Sequence, residues 1–167
     1  CLDMEPQDQL GGKNMWTSVN DYKQFANTFY SWTRDFSSVV YDGTHSDKRS
    51  DLITYQSYNE FSRGINSIPS SDANYTDNYK HIRRTNLLIE NAETYSKPED
   101  IKQYLGEAYF FRAYSYFDLL QLYGDVIITK KPLDITDPEM KVKRNDRSEV
   151  VDLIIDDLNH AVENLPA

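Results

Sequence analysis

The sequence predicts an all-α fold with long irregular loops. Three observations point that way: apolar residues recur every three or four positions in separate stretches, helix start and stop signals bracket those stretches, and one stretch is apolar on nearly every face. The first helix is expected over about residues 19 to 33, with Thr17 or Ser18 near its cap and Tyr22, Phe25, Ala26, Phe29 and Tyr30 on one face. From Asp35 to about Asp72 the pattern dissolves into Ser, Asp, Gly, Tyr and Asn, with Gly43, Gly64 and Pro69 as breakers. A loop this long inside a compact domain is usually functional or disordered. It carries Tyr41, Tyr55, Tyr58 and Phe61 and reads as a binding loop.

A second helix fits about 73 to 94, where Tyr75, Tyr79, Ile82, Asn86 and Ile89 share a face. A buried Asn must satisfy its amide, so Asn86 is expected to bond neighbouring backbone. The third and strongest element opens with Ser96 and Glu99 as a capping box around Pro98 and ends at Gly124, a natural residue after a helix C-terminus. Its apolar surround marks it as the central helix, with Phe110 and Leu119 in the core. Glu107, Arg112 and Asp118 are costly to bury alone, and each is expected to have a partner. A connector from Asp125 to Arg144 begins with the β-like Val126-Ile127-Ile128. The fourth helix takes Asp146 as cap with Glu149 three residues on, buries Val150, Leu153, Ile154, Leu158, Ala161, Val162 and Leu165, and stops at Pro166.

Composition narrows the function. With 167 residues, 39% of them hydrophobic, the chain suits one core. Its 18 Lys and Arg stand against 27 Asp and Glu, a formal net charge of −9 that repels a phosphate backbone, so no nucleic-acid partner is expected. No run approaches the roughly 18 to 20 apolar residues of a spanning helix. The 13 Tyr, 7 Phe and 2 Trp exceed what a helical core of this size needs, which places some at a surface where ring faces stack on sugars or pack on peptides.

The single cysteine is residue 1. A free terminal thiol is a liability in an oxidising compartment, so Cys1 reads as the acylated first residue of an exported protein whose signal peptide has been removed. Residues 1 to 14 then form a lipidated flexible tether, and 15 to 167 the helical domain. Two other readings of Cys1 stand beside this one. It is an artificial boundary of the chain, or it is a hydrolytic nucleophile whose own α-amine serves as base. The acidic, Pro- and Gly-punctuated segment after it does not look like the rigid strand that holds such a nucleophile.

No catalytic, metal or cofactor site is expected. His45, His81 and His160 lack ligand-type neighbours at metal-binding spacing, and no nucleophile elbow, phosphate-cradling loop or dinucleotide fingerprint occurs. Acid pairs such as Asp156-Asp157 are what an acidic chain produces by chance.

Four stretches together resemble the SusD/RagB family of outer-membrane lipoproteins. They are Cys1 with acids close behind; Tyr75-x-x-x-Tyr79-x-x-Ile82-x-x-x-Asn86-x-Leu88-Ile89-Glu90; Gly106-Glu107-Ala108-x-Phe110-x-Arg112-Ala113-x-x-Tyr116-Phe117-x-Leu119, followed by Tyr123-Gly124-Asp125-Val126; and Arg144-x-x-x-x-Glu149-Val150, continuing to Asp157-Leu158-x-x-Ala161 and Leu165-Pro166. Arg49-Ser50-Asp51 is similar to a signature that many members carry in the loop after the first helix.

The resemblance implies tetratricopeptide-like helix pairs, although a regular 34-residue period is absent. It implies a cell-surface, lipid-anchored protein of the outer membrane that captures oligosaccharide and hands it to a SusC-like TonB-dependent transporter barrel. In some members the cargo is peptide. A pure protein-interaction module is the remaining alternative. Tyr41, Asp42, Arg49, Asp51, Tyr55 and Tyr58 are the ligand-binding candidates in the loop. Family members are considerably longer, so the chain reads as the N-terminal part of such a protein.

Overall fold

The computed structural model describes residues 15–34, 64 and 70–166. The chain divides into two compact units, one of Cys1–Tyr30 with Ala73–Ala167 and one of Ser31–Asp72. In the second unit Gly64 occupies a turn at φ +65°, a left-handed conformation that suits glycine.

The first unit is built from four α-helices: α1 (Val19–Asn27), α2 (Ala73–Glu93), α3 (Lys102–Tyr123) and α4 (Arg147–Asn164). Short 3-10 turns at Thr28–Trp32, Pro98–Ile101 and Pro138–Met140 accompany them. The central position of the third helix is borne out, because α3 packs extensively against both α2 and α4. At Gly106 α3 comes close to the end of α4, where an added Cβ would sit 3.0 Å from Asn164 Cβ and 3.1 Å from the Leu165 backbone nitrogen.

Helix ends follow local chemistry. At α1 the Asp21 carboxylate accepts from the Ser18 and Thr17 backbone N–H groups at 2.8 and 3.0 Å. At α4 Asp146 is the N-cap, and Glu149 accepts the Asp146 N–H at 2.9 Å. Gly124, at φ +70°, ends α3 by donating its N–H to the Leu120 carbonyl at 3.0 Å.

Four expectations are corrected. The Ser96–Glu99 capping box does not form, since Pro98 takes the first position of its turn, which makes Lys97 the cap. The first helix stays α-helical only to Asn27, and the Thr28 hydroxyl bonds back to the Phe25 carbonyl at 2.7 Å. Tyr22, Phe25, Ala26 and Phe29 are buried as expected, while the tighter turn leaves Tyr30 exposed. Phe110 lies at the surface, although Leu119 is fully buried. In α4, Val150, Leu153, Ile154 and Ala161 are buried, but Leu158 and Val162 face outward and Leu165 is half-buried.

The connector is held by side chains rather than by a sheet. Val126 is fully buried and forms an isolated antiparallel bridge with Asn145, whose N–H donates to the Val126 carbonyl at 2.9 Å. The extended residues that follow must place their polar backbone groups somewhere. The Tyr79 hydroxyl accepts the Ile127 N–H at 2.9 Å and donates to the Ile127 carbonyl at 2.8 Å. The Tyr116 hydroxyl does the same for Thr129, at 2.9 and 3.2 Å. Burial pushes the pKa of both tyrosines above the ordinary phenol value, so these hydroxyls stay protonated.

Candidate functional site

Tyr41, Asp42, Arg49, Asp51, Tyr55 and Tyr58, and also Cys1, lie outside the described residues. Two other groupings in the first unit have enough geometry for a chemical reading.

The first is polar and buried. Arg112 on α3 donates from Nε and NH2 to the two carboxylate oxygens of Asp157 on α4, at 2.7 and 2.6 Å. Its NH1 donates to Asn86 Oδ1 on α2 at 2.8 Å, and Asn86 Nδ2 donates to the Thr129 and Lys131 carbonyls at 3.0 and 2.8 Å. Burial opposes the arginine's charge, yet the hydrogen bonds and charge of Asp157 outweigh it and raise its pKa. All three side chains are almost wholly withdrawn from solvent. They join three helices and the connector and offer nothing to a ligand. The backbone bonds expected of Asn86 and the partner expected of Arg112 are both present. Glu107, also buried, accepts from Gln103 Nε2 at 3.0 Å through Oε1, while among the described residues Oε2 has no hydrogen-bond partner.

The second grouping is an open cleft of about 350 Å3 between the segment preceding α1 and the end of α2, lined by Trp16, Thr17, Tyr22, Asn91, Thr94, Tyr95 and Ser96. Its volume falls within the ~300–1,000 Å3 typical of small-molecule sites. The Trp16 ring packs 5.0 Å from Tyr22 and 4.8 Å from Phe25, and Tyr95 meets Tyr22 at 5.0 Å. Tyr22 forms the buried floor, and its hydroxyl donates to the Asn91 carbonyl at 3.0 Å. Burial, with Tyr95 and Asp21 nearby, pushes its pKa up to about 12, so it remains a neutral donor.

Trp16 has φ +89°, the only positive φ of a non-glycine among the described residues. Such a conformation costs on the order of 1–3 kcal/mol and persists where surrounding contacts over-determine it. Here those contacts are the ring packing on Tyr22 and Phe25 and the Asp21 clamp on the next two residues. Half-exposed Trp16 and Tyr95 rings stand beside hydroxyl and amide groups, without a charged lining residue, so the cleft combines ring faces with neutral hydrogen-bonding groups. Sequence reading passed over Trp16 and Tyr95 because neither belongs to a helical stripe. The signal available was an aromatic just ahead of the Thr17-Ser18 cap.

A further cleft, of about 440 Å3, is lined by Ile128 and Leu153 together with the charged residues Lys130, Glu149, Asp152 and Asp156. Among the described residues, no three His, Cys, Asp or Glu side chains gather as a metal site would need, and no helix is long and apolar enough to cross a membrane.

Comparison with known proteins places this geometry in a family. The family model described as SusD-like, "Starch-binding associating with outer membrane", matches residues 2–167. A SusD-like protein of Formosa agariphila is 38% identical over 104 residues, covering 60% of this chain and 20% of that protein. The crystal structure of a SusD-like protein from Bacteroides fragilis superposes with a TM-score of 0.78 at 26% identity, covering 98% of this chain and 32% of that one. The chain thus spans about a fifth of the length of the first relative and about a third of the second. With a family model matched across nearly its whole length and a tetratricopeptide-like helical fold shared with a solved member, the chain belongs to the SusD-like family.

Proposed function

We propose that this chain is the helical portion of a cell-surface glycan-binding lipoprotein that captures oligosaccharide and delivers it to a TonB-dependent transporter barrel. The observation that carries the reading is the family match over residues 2–167, with its description as starch-binding and outer-membrane-associated. The chemistry of the Trp16–Tyr95 cleft is compatible with it: ring faces suit the C–H faces of sugars, and the neutral hydroxyl and amide groups of Thr17, Asn91, Thr94 and Ser96 suit sugar hydroxyls. Tyr41, Asp42, Arg49, Asp51, Tyr55 and Tyr58 are proposed as further ligand contacts, and acylated Cys1 as the membrane anchor. The protein's role is binding rather than turnover.

The test separates capture from docking. In cells carrying the full-length protein and its transporter, alanine at Tyr41, Tyr55 and Tyr58 should abolish oligosaccharide uptake while the barrel still co-purifies from detergent-solubilised membranes. Unchanged uptake would remove the loop from the site. Uptake of peptide with no response to glycan would replace the cargo class.

A further inference from the structure

Polar side chains at the Trp16–Tyr95 cleft direct their protons into the protein. The Thr17 hydroxyl donates to Asp21 Oδ2 and the Thr94 hydroxyl to the Asn91 carbonyl, both at 3.2 Å. Asn91 Nδ2 donates to the Leu87 carbonyl at 2.7 Å. A hydroxyl has one proton and two lone pairs, so what Thr17 and Thr94 have left to offer is acceptor capacity. Both residues are exposed, and with the half-exposed Trp16 and Tyr95 they form the accessible part of a cleft lined by no Arg, Lys or His. Lys97, next to Ser96 in sequence, is exposed and outside the lining. The flank is acidic: the Asp21 carboxylate stands one hydrogen bond from Thr17, in a chain of formal net charge −9.

These features sort ligands by charge. A sugar hydroxyl brings the proton that Thr17 Oγ1 and Thr94 Oγ1 can accept. A carboxylate or sulfate brings only lone pairs, and partial burial of an unpaired anion is costly. Sites built for such groups supply Arg or Lys. The faces of aromatic rings carry the negative part of their quadrupole, so Trp16 and Tyr95 attract the C–H face of a neutral sugar and repel an anion laid over them. A cationic group lacks an ion-pair partner, because no carboxylate lines the cleft and Asp21 Oδ2 already accepts from Thr17 and Ser18. Ring packing and the Asp21 clamp hold Trp16 in place at φ +89°, so little ordering is left to be done on binding.

We infer that the Trp16–Tyr95 cleft is a subsite for neutral sugar units that excludes uronate and sulfated ones. The inference rests on the glycan-capture reading and adds to it the class of sugar and the place where that class is selected. Because the selection comes from a missing cation, supplying one at the rim should weaken it.

Isothermal titration of the full-length protein with paired glycans tests this: starch-derived, xylan and mannan oligosaccharides, each beside a form carboxylated or sulfated at its hydroxyls. For every neutral glycan that binds, the anionic form should bind weaker by roughly tenfold or more. Ser96→Lys places an ammonium at the exposed rim and should raise affinity for the anionic form several-fold, a gain that misfolding cannot produce. An anionic form that binds the native protein as tightly as its neutral parent would overturn the inference, as would tighter binding of a cationic glucosamine oligosaccharide. A Ser96→Lys protein with unchanged preference would also overturn it, since the selecting site would then lie elsewhere. All three results leave glycan capture standing. Peptide binding with no response to any glycan would remove that reading and the inference with it.

Discussion

Asn86, Arg112 and Asp157 lie in three of the stretches that carry the family resemblance, and the structure joins them in one buried network. The motif is therefore a staple for the fold, and its residues should be read through stability rather than binding. Removing one partner strands a buried charge, so Asp157→Ala should cost roughly 3–5 kcal/mol in urea unfolding. Arg112→Lys keeps the charge but loses the bidentate fork and should also destabilise the protein markedly. His81 gives a pH signature: its desolvation, only partly offset by Asp77, lowers its pKa to about 4 from an ordinary 6.5. Above pH 6.5 the ring is neutral in both folded and unfolded chains. As pH falls from 6.5 toward 4 only the unfolded chain takes up the proton, so stability falls across that window and the loss levels off below it. With partial exposure discounted, the loss should be about 1–2 kcal/mol. Urea melts at pH 7.5 and 4.5 should show a smaller acid loss in His81→Gln than in the native chain.

At the scale of elements, helix existence was legible because 3.6-residue periodicity is a local signal, whereas several faces were not. Leu119 and Phe110 both read as core from an all-apolar helix, yet one is enclosed by neighbours and the other opens onto an apolar groove between α3 and α4. Leu119→Ala should thus cost roughly 2–5 kcal/mol and Phe110→Ala clearly less, measured on the 167-residue chain by the same urea melts. Equal losses would show that the groove is covered within this chain. Local rules also competed where they overlapped. The preference of Pro98 for the first position of a turn shifted the cap to Lys97, one residue after the Ser96 that the capping box requires. In the connector, the apolar run marked an extended segment, but the tyrosine hydroxyls that satisfy its backbone come from α2 and α3 and carry no local signature.

For the whole molecule, the fold class and family were readable from spaced motifs, while the candidate cleft was not. Tyr95 is far from Trp16 and Tyr22 in sequence and joins them only because α1 packs against the end of α2. The loop candidates and the anchor rest on residue type and resemblance alone. For the anchor, Cys1→Ala should move the protein from the membrane to the soluble fraction with unchanged helical circular dichroism, because none of the four helices involves the thiol. Retention of that variant on membranes after a high-salt wash, with the barrel deleted, would contradict lipidation. Glycan capture is tested by isothermal titration of the full-length protein with starch-derived oligosaccharides, alongside other polysaccharides and a peptide panel. Saturable binding to a glycan is expected, weakened at least tenfold, or ~1.4 kcal/mol, by Trp16→Ala in a protein that keeps its native circular dichroism; saturable binding of peptide with no heat from any glycan would overturn glycan capture.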